Sequence, residues 1–193
     1  MGQAAQQTIL FLVQVLFGLY SVALLLRVLL HSAQADFYNP IVNAIIRITG
    51  PVVKWPKKCI PNIKGLETSA VLVLLAVVFI KLLCISALNA NFPNVPGLVV
   101  WAVGDTLSLC IQTMFYLIII NAIISWIPSV QPTIQALLGQ LTNPLLRPAR
   151  KFIPTLGGLD LSPLAVLILL QVVTMLIVNP IMRAGMMTAL GIK

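Results

Sequence analysis

The chain has 193 residues, of which 60% are hydrophobic and only 8% are charged, and its mean hydropathy is +1.05. Soluble globular domains carry roughly a quarter charged residues, so this composition excludes a water-soluble fold and indicates an integral membrane protein. Twelve basic and four acidic side chains give a net charge of +8. In a membrane protein such an excess reflects topology and contact with anionic headgroups, and we expect no nucleic-acid partner.

Four apolar stretches are long enough to cross the bilayer, because a transmembrane helix needs about 20 mainly apolar residues. They are predicted at about 8–30, 69–88, 97–127 and 163–182. The amino terminus lacks the positive region of a signal peptide, so the first stretch is predicted to remain as a span. The sequence therefore predicts an all-α membrane protein with four transmembrane helices.

The three connections between the spans differ in length and charge. The middle one, residues 89–96, is short and uncharged, whereas the other two are each about 30 residues long. These long loops hold most of the basic residues, namely Arg47, Lys54, Lys57, Lys58 and Lys64 in the first and Arg147, Arg150 and Lys151 in the second. Two crossings separate the loops, so they lie on the same side. The positive-inside rule predicts both in the cytoplasm of a bacterial inner membrane, with both termini outside.

The two basic loops are copies of one another, which predicts two tandem repeats, residues 1–92 and 93–193. The equivalence covers over twenty positions and pairs Thr49 with Thr142 and Pro51 with Pro144. The repeat motif consists of Asn39, Pro40, Thr49, Pro51 and Pro61 in the first copy and Thr142, Pro144 and Pro154 in the second. The same alignment pairs Lys54 with Arg147, Lys57 with Arg150 and Lys58 with Lys151.

Apolar residues recur at helical spacing on both sides of a T-x-P sequence in each loop, and proline readily begins a helix but cannot continue one. Each loop is therefore predicted to form two short, proline-bounded amphipathic helices that lie in the membrane interface. Six cations on them are predicted to bind anionic lipid or a protein partner: Lys54, Lys57, Lys58, Arg147, Arg150 and Lys151. The alternative is that these cations only fix the topology.

Three ionisable residues fall within or near the spans, where a charge costs at least about 2.5 kcal/mol on insertion scales. Arg27 lies about one turn from the cytoplasmic end of the first span and is predicted to snorkel to the interface. Lys81 and Asp105 reach similar depth on neighbouring helices and are predicted to form an ion pair. The pair would fix helix packing or, alternatively, serve a proton or ion relay. Glu67 and Asp160 precede the second and fourth spans, where a carboxylate complements the positive helix end.

No catalytic or metal-binding pattern occurs in the sequence. The single histidine, His31, has no companions for a metal site, the three cysteines lie far apart, and nucleotide-binding and hydrolase motifs are absent. We therefore expect a protein that is not an enzyme and carries no metal or cofactor.

The doubled run N-P…T-x-P…[KR]-x-x-[KR]-[KR]-x-I-P in a four-span chain resembles the bacterial YggT (YlmG-related) family of membrane proteins. The segment FYNPIVNAIIRITGP, preceded by RVLLHSAQADF, is especially similar to proteobacterial members. The resemblance implies an inner-membrane protein linked with osmotic or ion homeostasis, or with assembly of membrane complexes in plastid relatives. It implies no catalytic residues. In the family an Arg often ends the first span of each unit; Arg27 holds that position here, and Asn121 holds it in the second copy.

Two functions follow from these observations. The first is a non-enzymatic organising or assembly factor that acts through its basic loops on anionic lipid or on a membrane-protein partner. The alternative is a small channel or transporter component, because tandem two-span repeats suit a pseudo-two-fold assembly with a site on the axis. Four spans hold few polar groups that could line a pore, so this alternative predicts a homo-oligomer.

Overall fold

The computed structural model describes residues 2–36, 38–60, 65–89, 93–127, 130–152 and 160–191. Its regular elements are helices: α1 (Gln3–Ser32), α2 (Pro40–Cys59), α3 (Thr68–Leu88), α4 (Val95–Ser125), α5 (Pro132–Phe152), α6 (Ser162–Val173) and α7 (Asn179–Leu190). A π-helical turn, Thr174–Val178, joins α6 to α7 without a break. The predicted all-α membrane fold is confirmed.

Within the described residues, four helices are long and apolar enough to cross a membrane: α1, α3, α4 and the continuous helix Ser162–Leu190, which we call span four. Span four extends to Leu190 although the sequence predicts its end at about Met182. The prediction stops early because hydropathy falls at Arg183, whereas the backbone continues to form helical hydrogen bonds. Pro180 has no N–H for the carbonyl of Leu176, and the π-helical turn just before it accommodates this loss.

Each basic loop forms one continuous helix, so the prediction of two short helices around the T-x-P sequence is wrong. Pro51 and Pro56 lie inside α2, and Pro144 and Pro148 lie inside α5. A proline inside a helix deprives the carbonyl four residues earlier, on the same face, of its hydrogen bond. Because Pro51, Pro144 and Pro148 are exposed, water or headgroups can bind those carbonyls and the helix continues.

A single buried face runs along each of these helices past the prolines. In α2, Val42, Thr49 and Val53 are at most 1% exposed, and in α5 Thr142 and Leu146 are 0% exposed. These residues are spaced seven and four apart, which places them on one side of a helix. Burial of this face against the spans holds each helix together through its prolines.

The two basic helices lie at the same end of the bundle, as the two crossings between them require. Leu30 at the end of α1 and Val42 of α2 pack in one apolar cluster with Leu137 and Leu141 of α5. The loops of the two copies therefore form one continuous surface rather than two separate ones.

At the other end, spans three and four pack backbone against backbone. A Cβ added at Gly97 would fall on the backbone of Ala189, and one added at Gly185 would fall on the backbone of Trp101. The N–H of Asn94 donates to the carbonyl of Ala189 at 2.8 Å. Small residues allow this approach, and close packing is the main attraction between helices in lipid.

Candidate functional site

A buried ion cluster lies at the end of the bundle that carries the basic helices. Arg27 of α1 donates from Nε to Oε2 of Glu67 at 2.7 Å and from Nη2 to Oε1 at 2.8 Å. It also donates from Nη1 to Oγ1 of Thr49 in α2 at 3.1 Å. Lys57 of α2 donates to Oε1 of Glu67 at 3.1 Å. Since Arg27 is 8% and Glu67 2% exposed, a two-pronged ion pair, the strongest form of this interaction, ties α1, α2 and the start of α3 together.

The cluster corrects one expectation from the sequence. Arg27 does not snorkel, because Glu67, 40 residues later in the chain, supplies a counter-ion beside it. Glu67 lies at the start of α3, as the sequence predicts, and makes no capping hydrogen bond there. Hydrogen bonds from Arg27 lower the pKa of Glu67 from 4.5 to about 2; burial opposes this, and the charge and hydrogen bond of Lys57 reinforce it. Glu67 therefore remains ionised at neutral pH.

The second copy repeats the threonine contact without the buried cation. Asn121 of α4 donates from Nδ2 to Oγ1 of Thr142 at 3.1 Å, the same distance as between Arg27 and Thr49. Each threonine also donates to the carbonyl four residues earlier in its own helix. The two copies therefore share one hydrogen-bonding plan, in which a polar residue of the first span binds the threonine of the basic helix.

The carboxylate of the second copy lies in more open surroundings. Arg150 donates to Asp160 at 2.8 Å, which matches the contact of Lys57 with Glu67, but the two side chains are 46% and 33% exposed. Asp160 also accepts from the N–H of Ser162 at 3.0 Å, at the start of α6. The second copy thus keeps the outer ion pair and lacks the inner one.

The six cations predicted to bind anionic lipid or a protein partner fall into two groups, one paired with carboxylates and one without an ion pair, and the grouping is the same in both copies. Lys57 and Arg150, which align with each other, pair with carboxylates. The other four are exposed, and no ion pair reaches them in the described part of the chain: Lys54, Lys58, Arg147 and Lys151. Lys58 lies over the ring of the exposed Trp55, with Nζ 5.9 Å from its centre.

The remaining motif residues begin or interrupt the basic helices. Asn39 accepts from the N–H of Ile41 at 2.9 Å, and Pro40 follows it as the first residue of α2. This is a helix cap followed by a proline whose missing N–H costs nothing. The predicted motif residues Pro61 and Pro154 lie outside the described residues.

The structure brings the predicted partners Lys81 and Asp105 together: Nζ of Lys81 donates to Oδ2 of Asp105. Their side chains are 16% and 25% exposed, because they line a cavity of about 370 Å³ that reaches all four spans. Gln14 of α1 and Arg183 of α7 also line it. The sequence did not predict that Arg183 lines this cavity, because the predicted fourth span ends at about residue 182. The small residues Gly185 and Ala189, spaced for close helix packing, were the signal that the helix continues.

A second cavity, of about 260 Å³, adjoins the buried ion cluster. Arg27, Lys57 and Glu67 line it together with His31 and Asn43.

Among the described residues no three His, Cys, Asp or Glu side chains lie close enough together to hold a metal ion.

Comparison with known proteins finds relatives over both halves of the chain. A family model described as CCB3/YggT matches residues 6–88 and 100–181. YggT of Escherichia coli (strain K12) is 30% identical over 189 residues, 96% of this chain and 97% of that protein. A Pseudomonas aeruginosa protein is 34% identical over 176 residues, 88% of each chain. The chloroplastic YlmG homolog protein 2 of Arabidopsis thaliana is 40% identical over 58 residues, 30% of this chain and 23% of that one. No solved structure matches.

Proposed function

The chain belongs to the CCB3/YggT family of membrane proteins, and we propose that it is a non-enzymatic organising factor whose two basic helices bind anionic lipid headgroups. The relatives are bacterial and plastid proteins, and the proposal places this chain in a bacterial inner membrane. The headgroups would be bound by α2 and α5 together, because the two helices form one surface.

The repeated division of the cations supports this proposal. In each copy one cation binds a carboxylate, and two others, at equivalent positions, stay exposed without an ion pair among the described residues. A topology signal depends on the number of cations in a loop and not on their positions. The same placement in both copies is expected if the four free cations contact something regular outside the protein, such as a layer of phosphates. Near an anionic surface each contributes about 1 kcal/mol.

The amphipathic form of the helices supports a lipid ligand in particular. On α2 the exposed face holds Ile48 and Trp55, which are 60% and 78% exposed, next to Lys54 and Lys58, and Tyr38 just before the helix is 93% exposed. Aromatic side chains favour the level of the headgroups, and cations beside them reach the phosphates.

The test measures lipid retained by the purified full-length protein. Four substitutions, Lys54→Gln, Lys58→Gln, Arg147→Gln and Lys151→Gln, remove the free cations, and the matched control exchanges Lys and Arg at the same four positions. We expect the Gln variant to lose at least about tenfold in affinity for phosphatidylglycerol, since four contacts of about 1 kcal/mol each are removed. The control should retain its affinity.

Unchanged phosphatidylglycerol binding by the Gln variant would refute the lipid proposal. If lipid binding survives while a co-purifying protein is lost with the same four charges, the surface serves a protein partner instead. Co-purification from native membranes of both variants separates these outcomes.

A small channel or transporter component is the second candidate, and the cavity between the spans favours it. Lys81 and Asp105 place charges where a protein with a purely structural interior would have apolar residues, and the exposed Arg183 lines the same cavity. Osmotic or ion homeostasis would then be the process served, with several copies of the chain enclosing the pathway.

Ion flux into liposomes that contain the purified protein tests this candidate. Flux that falls with the double substitution Lys81→Gln and Asp105→Asn supports it, and absence of flux in the native protein excludes it.

A further inference from the structure

The cavity between the four spans carries an excess positive charge. Lys81 and Asp105 neutralise each other. Arg183 lines the same cavity and has no ion pair among the described residues. The cavity therefore has a net charge of +1 and lies within the helical length of the spans.

No other carboxylate side chain can neutralise Arg183. The chain has only four acidic residues, and three of them lie at the opposite end: Asp36 follows α1, Glu67 precedes α3 and Asp160 precedes α6. Glu67 is 14 residues before Lys81 in α3, which corresponds to about 20 Å along the helix. Arg183 is exposed on the surface of the described structure, and an unpaired cation near hydrocarbon is costly, so an anion from outside the chain would stabilise it.

The site lies at a depth that an anion can reach. Lys81 and Arg183 are each seven residues from the end of their helices, Leu88 and Leu190, which is about 10 Å. Span four, at 29 residues, is about 44 Å long and exceeds the hydrocarbon thickness of about 30 Å. Arg183 is therefore only a few ångströms below the boundary between headgroups and acyl chains, and Lys81 of the shorter helix α3 lines the same cavity.

We propose that this cavity binds a phosphate-type anion between Arg183 and Lys81. The guanidinium of Arg183 offers a planar set of donors suited to such an oxyanion, and Lys81 keeps two N–H groups after donating to Asp105. Gln14 adds a neutral amide donor. The volume of about 370 Å³ is enough for a phosphate with part of its hydration. Asp105 competes with the anion for Lys81.

The test uses Trp101, which lines the same cavity, as a reporter. The chain has three tryptophans, so Trp55→Phe and Trp126→Phe leave only this one. The full-length protein is held in maltoside micelles, which contain no phosphate, at constant ionic strength. Iodide, an anion, and acrylamide, a neutral molecule, are compared as quenchers of Trp101 fluorescence. The ratio of the two quenching constants measures enrichment of anions, because changes in packing affect both quenchers.

We expect Arg183→Gln to lower the iodide-to-acrylamide ratio at least threefold and Asp105→Asn to raise it about twofold, since the latter frees Lys81. Arg183→Lys keeps the charge and should retain most of the ratio. An Arg183→Gln ratio equal to that of the parent overturns the proposal. So does a ratio that falls in Asp105→Asn, because removal of the carboxylate that competes for Lys81 should enrich the anion near Trp101 and not deplete it.

Competition identifies the source of the anion. Displacement of iodide by phosphatidylglycerol near equimolar amounts, with inorganic phosphate inactive at millimolar concentration, identifies a lipid headgroup. The reverse pattern identifies a free anion, and displacement by neither overturns the assignment to a phosphate-type group. The site is at the opposite end from α2 and α5 and uses none of their cations, so it can fail without affecting the proposed headgroup surface.

Discussion

Glu67 and Asp160 occupy equivalent positions in the two copies but lie in different surroundings. Glu67 is 2% exposed and binds a buried arginine. Asp160 is partly exposed and, among the described residues, binds Arg150 and the N–H of Ser162. Removing one partner of a buried pair leaves the other charge uncompensated, whereas an exposed pair contributes little. Substitution at the two sites should therefore have very different consequences.

Glu67→Gln should destabilise the protein strongly. The buried Arg27 would lose its counter-ion, at a cost of about 3–5 kcal/mol. The matched control Asp160→Asn breaks an exposed pair and should cost about 0–1 kcal/mol. Thermal unfolding in detergent measures both variants, and similar melting temperatures would contradict the structural role of the cluster.

The buried cluster also predicts how stability depends on pH. The pKa of Glu67 is lowered from 4.5 to about 2 in the folded protein, so the folded state favours the ionised form. Its contribution is fully present above about pH 4.5 and is lost as the pH falls from 4.5 towards 2. Glu67→Gln lacks this group, so the stability difference between the native protein and the variant should shrink over that range. A difference that stays constant from pH 6 to pH 3 would contradict the predicted shift.

At the level of helices, the contact between α4 and α7 depends on glycine. Gly185→Ala should place a methyl group on the backbone of Trp101 and force the helices apart, at a cost of about 1–3 kcal/mol. Gly18→Ala is the matched control, since nothing lies within 4 Å of an added Cβ in α1, and there alanine should be neutral or stabilising. Melting temperatures compare the two, and an unaffected Gly185→Ala would show that the helices are not in close contact.

Hydropathy was sufficient to predict the four spans from the sequence. It did not predict that α2 and α5 are continuous helices or where span four ends. Four apolar stretches predicted four spans because lipid exposure requires them. The T-x-P sequences suggested helix ends, yet α2 and α5 continue, because tertiary burial of Thr49 and Thr142 outweighs a missing N–H on the exposed side. Span four continues past Arg183 for a related reason, since helix packing extends beyond the hydrophobic run.

The candidate sites were predictable where partners lie close in the chain or at matched depth. Lys81 and Asp105 could be paired because a short connection fixes their helices side by side. Arg27 and Glu67 lie 40 residues apart. They meet because α2, which follows α1 and precedes α3, packs against both helices. The second copy, where Asn121 replaces the arginine, gave no charge pattern that could have revealed the pairing.

At the level of the whole molecule, the distribution of cations across the bilayer is more asymmetric than hydropathy alone indicates. Eight basic residues fall in the two sequence segments that contain α2 and α5: five before α3 and three before α6. Because Arg183 lies within span four, Lys193 is the only basic side chain in the sequence segments at the opposite end. The positive-inside rule counts cations close to the spans, so the continuation of span four strengthens the predicted orientation.

Fusions to the carboxyl end of the full chain test this orientation. We expect alkaline phosphatase, which is active only outside the cytoplasm, to be active there, and green fluorescent protein, which fluoresces only inside it, to be dark. Arg183→Gln should leave both readouts unchanged, since the eight loop cations already outnumber the basic residues at the opposite end. Replacing the five loop cations before α3 with Gln should produce a mixture of orientations, because only three would then oppose Lys193. A fluorescent carboxyl-terminal fusion of the native chain would place the basic helices outside, and anionic lipid of the inner leaflet could then not be their ligand.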